Sequence, residues 1–155
     1  MLAVHGATVR MRMVGSRATA RLEALDPLAA NATYFVGNSE GKIFQTYGQV
    51  LSSSIYPGID MVFHGTRGRL EFDFRVSAGS KADQIALAFD GAREVQIDAR
   101  GDLILHAGAA EIRQRMPVAY QVVNGRRRYV DANFQLDKVG HVRFSLGRTI
   151  RTASW

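Results

Sequence analysis

Asp60, Glu71 and Asp73 fall within one short stretch, YPGIDMVFHGTRGRLEFDF, which runs from Tyr56 to Phe74. Carboxylates gathered this closely can hold a hard cation, share a proton in hydrolysis, or simply face solvent. A calcium ion takes six to eight oxygens, so the trio would need backbone oxygens or water to complete a shell. A glycosidase needs two carboxyls about 5 to 9.5 Å apart in a sugar-sized cleft. Which chemistry is open to them depends on the elements that hold them.

Those elements read as two strands. Ile59, Met61 and Phe63 alternate with Asp60, Val62 and His64, and Leu70, Phe72 and Phe74 alternate with Glu71, Asp73 and Arg75. Period two is the signature of a ribbon with one face on a core. A loop at Gly65-Thr66-Arg67-Gly68 pairs His64 with Arg69, so that Ile59 faces Phe74, Met61 faces Phe72 and Phe63 faces Leu70. The other face then sets Asp60 against Asp73 and Val62 against Glu71. Opposed carboxylates repel unless a cation intervenes. Asp60, Glu71 and Asp73 are therefore the candidate metal ligands, with calcium as the ion, and the same three are the candidate hydrolytic residues. The plainer reading is the solvent face of a sheet, with Arg69 or Arg75 neutralising the acids, and the sequence favours it. No metal or other cofactor is required by any motif.

Other chemistry finds less support. With no cysteine, there is no disulfide, thiolate nucleophile or Cys-bound zinc. His5, His64, His106 and His141 are isolated from one another, and no serine sits in a Gly-x-Ser-x-Gly elbow. Arg126-Arg127-Arg128 is the densest basic spot; with Arg113 and Arg115 it forms a candidate anion or partner surface. Single-strand binders add a row of stacking aromatics. Here Tyr129 alone is close, and the register places it opposite Tyr120 as packing, so nucleic acid is not the expected partner.

Charge is unevenly spread along the 155 residues, which carry a net +6. Residues 1–22 hold four Arg and no acid, 23–111 hold 7 basic and 12 acidic groups, and 112–155 hold 9 basic and 2 acidic groups. No apolar run reaches the 18 or so residues of a membrane helix, and MLAVHGATVR lacks the pattern of a secretory signal. The length predicts one domain over 1–155.

Alternation recurs along the chain. Val9, Met11 and Met13, then Ala18 to Ala24 after Gly15-Ser16, predict a hairpin that Asp26-Pro27 ends. Residues 26–48 look irregular, and Val50 to Ile55 reads as a weak strand. Ser80 to Gln84 predicts one helical turn capped by Ser80. Further strands follow at Ile85–Phe89, Val95–Ile97, Leu103–Leu105, Glu111–Met116 and Val118–Val122, then Tyr129, Phe134–Leu136 and Val142–Leu146. Asn124-Gly125 is the strongest hairpin signal. About ten short strands with glycine-bearing turns and little helix predict an all-β, antiparallel sandwich or open barrel.

Five blocks carry a resemblance: Tyr56-Pro57-Gly58-Ile59-Asp60, Leu70-Glu71-Phe72-Asp73-Phe74, Phe89-Asp90-Gly91-Ala92, Gly101-Asp102-Leu103, and Pro117-Val118-Ala119-Tyr120-Gln121 before Asn124-Gly125. In order and spacing the chain resembles, over about 9–146, a family of bacterial domains of unknown function. That family lies ahead of SBBP beta-propeller repeats in exported or cell-surface proteins. Family members extend further at both ends, so residues 147–155 read as a tail at a shortened junction. The resemblance implies an exported, all-β accessory module with no known catalytic residues. Its partners would be the neighbouring propeller repeats or another surface protein, and an unpaired strand edge would favour self-association. The expected function is thus a non-catalytic structural or interaction module. The alternatives are a carbohydrate-binding module, or a hydrolase built on Asp60, Glu71 and Asp73.

Overall fold

The structure, a computed structural model, describes residues 2–4, 7–18, 20–35, 41–66 and 69–147. Among them are fourteen strands, one 3-10 turn at Ala82–Gln84 and no α-helix. The strands are β1 (Leu2–Val4), β2 (Ala7–Met13), β3 (Arg21–Tyr34), β4 (Lys42–Tyr56), β5 (Ile59–Thr66), β6 (Arg69–Val76) and β7 (Ala86–Asp90). They continue as β8 (Glu94–Ile97), β9 (Leu103–Ala107), β10 (Ala110–Gln114), β11 (Ala119–Val123), β12 (Arg126–Val130), β13 (Ala132–Leu136) and β14 (Val142–Leu146). The all-β class and the antiparallel ladders are as the alternation predicts, and no sheet closes into a barrel.

The chain divides into two compact units, residues 1–16 with 76–155, and residues 17–75. In the first, a five-stranded sheet runs β1-β2-β7-β14-β13, beside a three-stranded sheet β10-β9-β8 and the hairpin β11-β12. Contacts of β9 with β2 and of β8 with β13 lay the smaller sheet on the larger one, as in a sandwich. Its core is Val9, Ile85 to Leu87, Leu103 to Leu105, Ala107, Phe134 and Val142. The second unit is a four-stranded meander, β3-β4-β5-β6, with Ile55, Tyr56, Ile59, Met61 and Val62 buried.

Several expectations change. Strand β2 does not form a hairpin with the segment after Gly15-Ser16. It pairs with β1 and β7, Met11 opposite Phe89, while β3 pairs with β4. The alternation at Ala18 to Ala24 has mostly small side chains, and Leu22 is 74% exposed, so this face had little apolar area to hold it against β2. Asp26-Pro27 does not end a strand either. Asp26 takes a positive φ of 58°, yet Pro27 stays in register opposite Tyr47, and the register shifts only after it, between Pro27 and Asn31, so a bulge follows the pair inside β3. Because β3 is an edge strand, the missing proline N–H breaks no ladder. Gln45 Nε2 donates to Leu28 O at 2.6 Å and Thr46 Oγ1 to Ala30 O, which replaces the bonds the bulge removes. Residues 26–48, which looked irregular, are thus largely strand.

Smaller changes follow the same logic. The helical turn begins after Lys81, with no side-chain cap, so Ser80 does not cap it. The strand expected at Glu111–Met116 is Ala110–Gln114. On β5, Val62 is only 2% exposed although it shares a face with Asp60, so that face is not simply wet. On β6, Leu70 is 69% exposed, and the expected apolar face stops short of it. Part of the 65–68 loop (67–68), His5, residues 36–40 of the irregular stretch and the tail from 148 onward lie outside the described residues.

Gly91, in the block Phe89-Asp90-Gly91-Ala92, is held by two constraints at once. Its φ is 93°, and a Cβ there would run into the backbone carbonyl of Thr8. Gly140 also has a positive φ, 82°, but open space around it. Gly140→Ala should therefore cost only the left-handed strain, about 1 to 2 kcal/mol. Gly91→Ala should cost more than about 3 kcal/mol, because backbone must move as well. Chemical denaturation of both variants measures the difference.

Candidate functional site

The acidic trio does not converge. Asp60, the second residue of β5, accepts the backbone N–H of Ser54 at 2.7 Å. Ser54 has a positive φ of 54° at the irregularity where the β4–β5 register shifts between Ser52 and Tyr56. The carboxylate thus secures a strained step in β4. Asp73 and Glu71, on β6, turn instead to His64 on β5. Its Nε2 lies 3.1 Å from Asp73 Oδ2, and its Nδ1 lies 4.0 Å from Glu71 Oε2. His64 was expected beside a cation, and it stands between two carboxylates. Among the described residues, no three His, Asp or Glu side chains are grouped to hold a metal ion. Asp60 is therefore occupied as a backbone acceptor, and Asp73 and Glu71 as partners of an imidazole.

The candidate basic surface is also divided. Arg113, on β10, meets Asp98 Oδ2 at 2.5 Å, Asp102 Oδ2 at 3.3 Å and Glu111 Oε1 at 3.4 Å, so acids already surround its charge. Arg126, Arg127 and Arg128 lie on β12, in the separate β11–β12 hairpin, and Arg115 follows β10. The Asn124-Gly125 turn and its register are as predicted, with Tyr120 opposite Tyr129 and their rings edge to face at 6.1 Å. The Arg127 guanidinium stands over the Tyr120 ring at 4.5 Å, a cation–π contact.

The carboxylates with the most partners sit in two turns of one design. In Asp98-Ala99-Arg100-Gly101-Asp102, between β8 and β9, Asp98 N–H donates to Asp102 O at 2.9 Å and Gly101 N–H to Asp98 O at 3.0 Å. In Asp137-Lys138-Val139-Gly140-His141, between β13 and β14, the same two bonds measure 2.9 and 3.0 Å. Asp98 Oδ1 accepts from the N–H groups of Arg100 and Asp102, and Asp137 Oδ1 from those of Val139 and His141. The second oxygen of each reaches an arginine, Arg113 or Arg143. Asp102 adds a bond from Met116 N–H at 2.9 Å, which ties the segment after β10 to the turn. The repeated Asp-x-x-Gly spacing was the available signal for a shared structural role.

These contacts set the carboxyl acidities. The Arg113 hydrogen bond lowers Asp98; desolvation opposes it, and the N–H groups of Asp102 and Arg100 add to the lowering. At Asp137 desolvation pushes upward, but the N–H groups of His141 and Val139 together with Arg143 bring the net shift down. The Arg12 fork, at 3.1 and 3.3 Å, likewise lowers Asp90. A carboxyl lowered in the folded state stabilises above its unfolded pKa of about 3.9, and that contribution disappears as pH falls through the folded value. Melting temperature should therefore drop on acidification below about pH 4. Asp98→Asn should lower it at neutral pH and make the acid-side drop shallower, as melts across a pH series will test.

A search of curated proteins and a search of solved structures each found no match to this chain. A scan of family models matched residues 2–154, nearly the whole length, to one described as a domain of unknown function (DUF7948). The chain, an antiparallel all-β protein whose acids staple its turns, belongs to that family of uncharacterised domains.

Proposed function

We propose that this chain is a non-catalytic interaction module of a larger exported bacterial surface protein, and that it associates through the ribbon formed by β3 and the first half of β4. The observation that carries this reading is apolar surface on that ribbon. Leu28, Tyr34, Phe35, Ile43, Phe44 and Tyr47 are all exposed, Ile43 to 70%. Beyond the bulge the ribbon has only two strands, with Ala32 opposite Phe44 and Thr33 opposite Ile43, while β5 pairs only from Gln49 onward. Among the described residues, neither outer edge there has a partner strand. An apolar, two-edged ribbon of this length with a single charge is an association surface rather than a solvated one.

A second copy of the chain is the partner that fits best. Between 27 and 47, the described residues include one charge, Lys42, so two copies would meet without repulsion and nothing on the ribbon selects an acidic or basic partner. Pairing of β3 with its own copy is antiparallel and self-complementary, as a twofold dimer requires. The resemblance to domains that precede SBBP repeats supports the placement in a surface protein. No helix among the described residues is long and apolar enough to cross a membrane.

Sedimentation velocity over a range of concentrations tests this reading, with dimer expected to grow as concentration rises. Ile43→Lys should shift the population to monomer and change the melting temperature little, since its site is exposed. A native chain that stays monomeric throughout would remove the proposal.

Carbohydrate binding is the second reading, favoured by a groove of about 460 Å³ lined by Met116, Pro117, Val118, Tyr129, Asp131 and Asn133. Tyr129, 67% exposed, offers a stacking face beside polar side chains. Glycan-array binding that Tyr129→Ala abolishes would put this reading first.

A further inference from the structure

A different part of the second unit carries an arrangement that neither the interaction surface nor the turns explain. Arg17, Arg21, Ser53 and Ser54 line a pocket of about 190 Å³. We propose that this pocket binds a tetrahedral oxyanion, a phosphate or sulfate group, between the two guanidinium groups and the two serine hydroxyls.

The backbone builds the pocket before any ligand arrives. Arg17 N–H donates to Ile55 O at 2.8 Å, which fixes that residue beside β4. Arg21 opens β3 directly opposite Ser53 in the ladder. The two arginines are thereby set next to consecutive serines. Ser54 holds its left-handed φ of 54°, a conformation uncommon for a residue with a Cβ, and Asp60 fixes it there through the 2.7 Å bond to its N–H. Asp60, the first of the residues that suggested a metal site, is on this view a positioning residue for an anion site.

The electrostatics run the same way. Neither Arg17 nor Arg21 forms an ion pair with any described residue, in contrast to Arg12, Arg113 and Arg143, each of which meets a carboxylate. Glu23 lies two positions along β3 from Arg21 without pairing to it. Ser53 Oγ makes one long bond, 3.5 Å to Arg21 O, which a charged acceptor would readily replace. Guanidinium forks match the paired oxygens of phosphate and sulfate, and hydroxyls donate to the remaining ones. The volume equals that of roughly six waters, room for one such anion with part of its hydration.

Calorimetric titration of the whole chain with sodium phosphate, and separately with sodium sulfate, at fixed low ionic strength tests the proposal. Saturable one-to-one binding of one or both is expected, and their ratio distinguishes a phosphate from a sulfate site. Arg17→Ala or Arg21→Ala should each weaken it about tenfold or more, the loss of one charge-assisted contact. Arg128→Ala, the same charge change outside the pocket, should alter it by less than about twofold. Asp60→Ala should weaken binding, and Asp60→Asn, which keeps an acceptor for Ser54 N–H, should restore it. Both arginines are exposed and unpaired, so the variants should melt like the native chain. No saturable binding, an equal loss with Arg128→Ala, or equal binding of planar acetate would each overturn the site.

Discussion

A carboxylate that accepts backbone N–H groups at a chain reversal is the interaction on which most of this structure depends. The fourteen strands among the described residues must turn back after almost every strand, and each reversal leaves peptide groups outside the ladders. Asp98 and Asp137 satisfy two such N–H groups with one oxygen and an arginine with the other. Asp60 does the same for a single strained step within β4. A charged acceptor makes a stronger bond than a neutral one, which suits places where no apolar packing fixes the backbone. Of the three acids that suggested reactive chemistry, Asp60 holds backbone in this way, while Glu71 and Asp73 face His64.

Much of the fold was legible because two-residue alternation and turn chemistry are local signals. Asn124-Gly125 set the register of its hairpin correctly, down to Tyr120 against Tyr129. Strand partners beyond the next turn were not legible. Arg10 to Met13 pairs with Leu87 to Asp90, and nothing in either segment encodes that distance along the chain. The β3 bulge was hidden for another reason: Asp-Pro ordinarily stops a strand, and only its position at a sheet edge lets the strand continue. At the acidic trio, residue types were plain, but the partners were not. His64 and the Ser54 N–H decide where those carboxylates point, and the shifted β4–β5 register decides where Ser54 is.

Polar and apolar surfaces are distributed in the second unit with some economy. Ile55, Tyr56, Ile59, Met61 and Val62 are buried near the β4–β5 turn, and the exposed apolar residues collect toward the other end of β3 and β4. Ser53 and Ser54 lie close in sequence to the buried end, with Arg21 opposite Ser53 in the ladder. One long strand, β4, therefore serves a core, a polar pocket and an open ribbon in succession. The irregularity between Ser52 and Tyr56 holds the pocket serines and the buried Ile55 side by side.

The order of strands also fixes when each unit can form during synthesis. The β3-β4-β5-β6 meander joins only sequence neighbours, so its ladders can zip as soon as Val76 has left the ribosome. The five-stranded sheet instead brings Met13 beside Leu87 and Leu87 beside Val142, so β2 must wait for β7, and β7 in turn for β14. During that interval β2 has only β1 to pair with, over Ala7 to Val9, and its stretch from Arg10 to Met13 stays open until β7 arrives.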